Sequence, residues 1–260
     1  MKHKHGFPWA LATVALVGLA STPSTAQGNP GVTDKDVLIC SYQPMTGQVS
    51  SYFRMGKGAD AWIKHVNESG GINGRRIEFK MVDDKYEPPR TADIVKRFVE
   101  RDKCFAIVAP LGSAPTSAVI DYIVENKVPL IGAGTGAEKN VYYKSRYVFP
   151  LYAPYDLEGT ELVRFVKDVF GAKKIAVLYQ NDPSGKTHLQ GIEVGLKQYG
   201  VELLVAEGYQ PKEVDVSAQV IKMKNSGADA VICSCAPEPA AKFYTERQKL
   251  GWKAPVVNVF

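Results

Sequence analysis

The stretch VLICSYQPMTGQVSSYFRMGKGADAWIKHVNESGGINGRRIEFKMVDD, residues 37–84, decides the fold. It opens with the apolar run Val37-Leu38-Ile39-Cys40 and breaks at Pro44-Met45-Thr46-Gly47. Met55, Ala59, Trp62, Ile63 and Val66 then recur at helical spacing. Asn67-Glu68-Ser69-Gly70-Gly71 ends that helix, because glycine accepts the left-handed conformation a helix C-terminus needs. The turn Ile72-Asn73-Gly74 leads into Ile77-Glu78-Phe79-Lys80-Met81-Val82, which alternates as a half-buried strand does. Strand, helix and strand make one β-α-β unit, whose strands run parallel. In open parallel sheets, small ligands sit in the crevice at the carboxyl ends of the strands. Function is therefore to be sought near Thr46 and Gly47.

The same alternation continues outward. Glu87-Pro88-Pro89-Arg90 pre-sets a first helical turn, and Ala92, Ile94, Val95, Phe98 and Val99 form the apolar face of the helix that follows. Phe105–Ala109 reads as a buried strand, Ala114–Glu125 as a helix capped by Ser113, and Val128–Ile131 as a strand running into Gly132-Ala133-Gly134-Thr135-Gly136. The strand Tyr147–Tyr152, bounded by Pro150 and Pro154, reads as a crossing between two lobes, residues 27–152 and 153–260. Beyond a helix at Asp156–Val169 the pattern restarts. Strands are expected at Lys174–Tyr179, Glu202–Ala206, Ala228–Cys233 and Ala254–Val259, with helices at Thr187–Tyr199, Ser217–Asn225 and Pro237–Leu250. This is an α/β architecture with helices on both faces of parallel sheets. The final strand has no covering helix before Phe260, so the second lobe is expected to be incomplete.

The first 26 residues read as a cleavable export signal. Lys2 and Lys4 give a basic head, Leu11–Ala20 is an apolar run too short to span a bilayer, and Ser24-Thr25-Ala26 suits a signal peptidase. Without the two head lysines the formal charge falls from +5 to +3, too mild a balance to imply nucleic acid. The four cysteines read as buried thiols, since they lie in or beside expected buried strands and a bridge between near neighbours Cys233 and Cys235 would be strained. A Cys40–Cys104 bridge stays open in an oxidising compartment.

Three motifs invite catalytic or metal readings. Ser184-Gly185-Lys186-Thr187 opens a helix after a strand, as a phosphate-binding loop would, but Gln180 stands where that pattern needs its first glycine and Pro183 removes a donor. Ser184, His188 and Asp182 lack the spacing and the strand-to-helix elbow of a hydrolase nucleophile, which leaves His188 as a surface or lobe-rim residue. Asp83 and Asp84 lack a third ligand for a divalent cation and read instead as caps of the next turn, or as partners of Lys85 or Arg90. No catalytic residue, metal or cofactor is expected.

Taken in order, Pro44-Met45-Thr46-Gly47, Gly58-Ala59-Asp60-Ala61, Gly70-Gly71-Ile72-Asn73-Gly74-Arg75, Val82-Asp83-Asp84, Pro110-Leu111-Gly112-Ser113 and Ile131-Gly132-Ala133-Gly134-Thr135 resemble the solute-binding receptors of branched-chain amino acid ABC importers, the leucine/isoleucine/valine-binding type. The likeness runs from Gly31 to Phe260. It implies the type I periplasmic-binding-protein fold, two Rossmann-like lobes with a ligand cleft between them, and a soluble periplasmic receptor without catalysis. Its partners would be a small amino acid or related carboxylate and a membrane permease. The same fold serves as the ligand-sensing domain of signalling proteins, the alternative reading. Carried over by position, the carboxylate loop falls on Ser113 and Gly134-Thr135-Gly136, and an aromatic pocket wall falls on Tyr52. Where the family places aromatics, this chain has Ser184 and Ala236, which implies a roomier pocket and a ligand such as an aromatic acid or amide. The acidic partner of a ligand amine would fall at or beyond Phe260.

Overall fold

A computed structural model describes residues 29–47 and 49–259. The expected signal segment, and position 260, lie outside the described residues. The deciding unit forms as read: β1 (Asp36–Gln43) pairs in parallel with β2 (Arg76–Asp83) in the register Val37↔Ile77 through Tyr42↔Val82, and α1 (Arg54–Glu68) connects them. A short 3-10 helix, Ser50–Phe53, precedes α1 and carries Tyr52.

The first sheet continues through α2 (Pro88–Glu100), β3 (Ala106–Val108), α3 (Ser113–Glu125), β4 (Leu130–Ile131), α4 (Glu138–Val141) and β5 (Val148–Phe149), in the order β2-β1-β3-β4-β5. Two expected strands are shorter than read, and Tyr147–Tyr152 contributes only Val148 and Phe149 to the sheet. The prolines at 150 and 154 bracket the crossing, and proline has no N–H to donate to a ladder. The second sheet is β7-β6-β8-β9, formed by β6 (Lys174–Gln180), β7 (Glu202–Tyr209), β8 (Ala230–Ser234) and β9 (Val256–Val259). Its helices are α5 (Tyr155–Phe170), α6 (Pro183–Tyr199), α7 (Ser217–Asn225) and α8 (Pro237–Lys249). All pairings in both sheets are parallel.

Burial follows from the layers. Cys40, Tyr42, Ile107 and Leu130 of the first sheet pack against Phe98 of α2 and Ile120 and Ile123 of α3. The second sheet is covered on both faces. Ile175, Val177 and Ile232 pack with Val163, Val166 and Ile192 of α5 and α6, while Leu178, Tyr209 and Cys233 pack with Phe243 and Trp252. The other face of the first sheet is bare at its β4–β5 end, where Ile131, Phe149 and Leu151 are exposed. Among the described residues no helix is long and apolar enough to cross a membrane.

The cysteines correct the sequence reading. Cys40 and Cys104 are bridged across a sequence separation of 64, tying β1 to the turn after α2. Cys233 and Cys235 are bridged as well, with a Cα–Cα distance of 5.3 Å. Residues two apart along a strand face the same way, so alternation does not separate the two thiols, and Cys235, just past the end of β8 at Ser234, lies in the core cluster that holds Cys233.

Candidate functional site

Strand order reverses between β1 and β3 in the first sheet and between β6 and β8 in the second. These switch points open a crevice at the carboxyl ends, because the connections on either side leave in opposite directions. The two crevices face each other and enclose a cavity of about 70 Å³. Val49, Tyr52, Tyr86, Ser113, Gly134, Tyr152 and Tyr155 line it from the first sheet's loops and the crossing, and Gln180, Ser184, His188, Ser234, Cys235 and Ala236 from the second.

Of the residues expected at the site, Tyr52, Ser113, Gly134, Ser184 and Ala236 are brought together on this cavity, while Thr135 and Gly136 stand behind it. Ser113 is not the cap of α3. Gly112 holds that position at φ +118°, and Ser113 is the first helical residue. Its hydroxyl is 2.7 Å from Thr135 Oγ1, and Thr135 Oγ1 also accepts the Ala137 N–H at 3.1 Å. Thr135 therefore orients Ser113 from behind. Gly136 is a packing glycine, since a Cβ there would meet the Ala153 carbonyl and the Tyr155 ring. The Thr46-Gly47 turn does not reach the cavity. It is pinned to Asp83, which accepts from Met45 N (2.9 Å), Thr46 N (3.3 Å) and Thr46 Oγ1 (2.5 Å), and which also accepts from Lys85 N at 3.0 Å in the turn that follows it.

A polar network across the cleft escaped sequence reading. Tyr86 Oη donates to Asp182 Oδ2 at 2.7 Å, and the same carboxylate accepts from Gln180 Nε2 (2.7 Å), Ser184 N (2.9 Å) and Gly185 N (3.4 Å). Burial pushes the Asp182 carboxyl up from its ordinary range, against the pull of these four donors. Burial and then the Asp182 charge push the Tyr86 phenol well above its ordinary value. Asp182 is the N-cap of α6, so the helix starts at Pro183 rather than near Thr187. The helix N-terminus that a phosphate loop would offer is already occupied by a carboxylate.

His188 is buried rather than at a surface. It stacks on Tyr155 at 4.1 Å between centroids, with Nε2 3.1 Å from Glu158 Oε2 and Nδ1 2.9 Å from Ser234 Oγ and 3.1 Å from the Ser184 carbonyl. Both ring nitrogens are engaged, so the imidazole forms a fixed wall joining α5, α6 and β8. The newly found lining residues Gln180 and Ser234 close their strands, while Tyr86, Tyr155, His188 and Cys235 lie just past a strand end or in the first turns of the next helix. That position was the available signal; which strand ends meet was not.

The cavity thus combines the Ser113 hydroxyl, the Ser113 N–H at the start of α3 and a wall of tyrosines. Such a set suits a small anionic solute carrying apolar or aromatic bulk. Comparison with known proteins agrees with this architecture. An amino acid binding protein of Pseudomonas aeruginosa is 29% identical over 223 residues, 85% of this chain and 57% of that protein. The Leu/Ile/Val-binding protein homolog 1 of Brucella abortus is 27% identical over 224 residues, covering 86% of this chain and 60% of the relative. A substrate-binding periplasmic protein of Ralstonia solanacearum superposes with a TM-score of 0.79 at 26% identity, covering 85% of this chain and 63% of that one. The chain therefore spans about 57–63% of the length of these proteins. Residues 37–260 match the periplasmic binding protein family, and with both sheets and the cleft in that arrangement, the chain belongs to this family of non-catalytic binding proteins.

Proposed function

We propose that this chain is the ligand-binding part of a periplasmic receptor for small carboxylate-bearing solutes, amino acids or related acids and amides. The observation that carries the reading is the start of α3, where the Ser113 hydroxyl and N–H face a cleft walled by Tyr52, Tyr86, Tyr152 and Tyr155. The ligand carboxylate would sit on the Ser113 hydroxyl and N–H at the α3 N-terminus, where the helix dipole favours an anion. Tyr52, Tyr152, Tyr155 and His188 would enclose the rest of the ligand, and the small Ser184 and Ala236 leave room for bulk. The names of the amino acid and Leu/Ile/Val-binding relatives support the same ligand class.

In this reading residues 1–26 direct export, and the lobes 27–152 and 153–260 close about the crossing segment. The closed form docks on a permease of an ABC importer. The ligand acts by differential affinity, shifting the population toward the closed lobes.

The test is a thermal melt of the purified chain with a panel of amino acids, aromatic acids and amides. A ligand at about a thousand times its Kd stabilises the folded protein by about 4 kcal/mol. Ser113→Ala is expected to weaken a bound carboxylate about tenfold or more by calorimetry, because a hydrogen bond to a charged group is lost. Failure of every compound to shift the melt, or equal affinity of Ser113→Ala, would defeat this reading.

A further inference from the structure

Tyr86 stands where the cleft divides. Lys85 and Tyr86 hold left-handed backbone at φ +55° and +59°, a region side chains other than glycine's rarely adopt. Asp84 secures the turn by accepting the Tyr86 N–H at 3.0 Å. The turn drives the phenol ring against Gly112, where an added Cβ would lie 2.7 Å from the ring, so only glycine leaves room for it. The Tyr86 hydroxyl ends between the Ala114 backbone N–H at the start of α3 and the Asp182 carboxylate of the opposite lobe. It thus stands over donors that a carboxylate ligand would use.

The same ring borders two hollows. On one side is the cavity of about 70 Å³ that holds Ser113. On the other is a hollow of about 670 Å³ lined by Pro88, Pro89, Ala114 and Pro211 together with the Lys212–Glu87 ion pair. Val49 and Tyr86 line both. A space of 70 Å³ is small for an amino acid or an aromatic acid, whereas the two hollows joined would admit a longer molecule.

We propose that Tyr86 is a gate that divides one elongated site, and that the outer hollow takes the apolar tail of a carboxylate whose head sits at Ser113. This rests on the carboxylate-receptor reading and makes Tyr86 the residue that sets ligand length. The proline and alanine lining suits a hydrocarbon chain, and continuity with the inner cavity through Val49 and Tyr86 gives the tail its path. The gate is latched by the bond to Asp182 and turns aside when a tail is present. Strained backbone at such a position is expected where two arrangements must be close in energy.

The experiment measures Kd by calorimetry for straight-chain monocarboxylates from ethanoate to decanoate, and for phenyl-substituted acids of increasing length, with wild type, Tyr86→Phe and Tyr86→Ala. Tyr86→Ala is expected to bind the longest acids at least about tenfold more tightly than wild type, what two further buried methylenes supply. Tyr86→Phe keeps the ring but loses the latch, and is expected to bind the longest acids more tightly than wild type, by less than Tyr86→Ala gains, while the shortest acids change least. It also guards against a folding defect in the alanine variant. Wild-type binding with the same length profile in Tyr86→Ala and in a folded Tyr86→Leu would overturn the gate while leaving the receptor reading intact. Absence of binding by any acid to any of these proteins would overturn both.

Discussion

Asp84 is fully buried at the end of β2, where it accepts the Tyr86 N–H at 3.0 Å and the Thr91 hydroxyl at 2.9 Å. Burial raises its pKa from 3.8 to about 6, more than these two donors lower it. A carboxyl with a raised folded pKa binds its proton more tightly folded than unfolded. Its contribution is therefore best below about pH 4, declines as pH rises toward 6 and is level above that, costing about 3 kcal/mol at neutrality. Asp84→Asn keeps an acceptor for the Tyr86 N–H and abolishes the titration. In urea melts the variant should exceed wild type by up to about 3 kcal/mol at pH 7, with the gap closing toward pH 4. A pH-independent difference would contradict this assignment. The sequence already marked Asp83 and Asp84 as turn residues, since adjacent carboxylates at a strand end have backbone N–H groups within reach. It could not reveal that one is exposed enough to hold the Thr46 turn while the other is sealed beneath Tyr86. Of the two roles the sequence offers Ser113, ligand contact and helix cap, the cap is not made, because Gly112 at φ +118° takes that position and the helix starts one residue earlier.

Elements were legible in type and less so in extent. The spacing of Val163 and Val166, or of Ile94, Val95 and Phe98, marks a buried helical stripe that any packing partner would use. Where α6 begins depends instead on the Asp182 carboxylate, which accepts from Ser184 and Gly185 and draws the helix back to Pro183. The two disulfides act on elements at different ranges. Cys40–Cys104 closes a separation of 64 residues, so its loss should cost about 4 kcal/mol of chain entropy. Cys233–Cys235 closes a separation of only 2, and the same relation gives it about 1.6 kcal/mol. Denaturant titrations of Cys40→Ala/Cys104→Ala and Cys233→Ala/Cys235→Ala variants should show the first pair as clearly more destabilised. The reverse order would mean that the short bridge acts mainly by shaping the loop that presents Ser234 and Ala236 to the cleft.

Across the whole molecule, the lobes are joined at the cleft by Tyr86–Asp182 and at its rim by Lys212–Glu87, 2.6 Å apart and largely in solvent. The buried contact carries more weight, since an exposed ion pair contributes about 0–1 kcal/mol. Ile131, Phe149 and Leu151 leave a contiguous apolar strip on the first sheet, exposed by 39%, 51% and 73%. Strips of this kind promote association. Sedimentation velocity should show concentration-dependent self-association that Phe149→Asp with Leu151→Asp reduces; a monomer at every concentration would rule out this face as adhesive. The sequence by itself determined two parallel α/β lobes and the strand-end location of the site, because periodicity and turn chemistry are local and survive without neighbours; Tyr52, Ser113, Gly134, Ser184 and Ala236 were pointed to by the family resemblance instead. Only tertiary structure decided that Tyr86 meets Asp182, 96 residues away, that His188 meets Ser234 across 46, and that Cys235 folds back on Cys233. Those contacts depend on where strand order reverses and on single backbone torsions, and neither leaves a repeating mark along the chain.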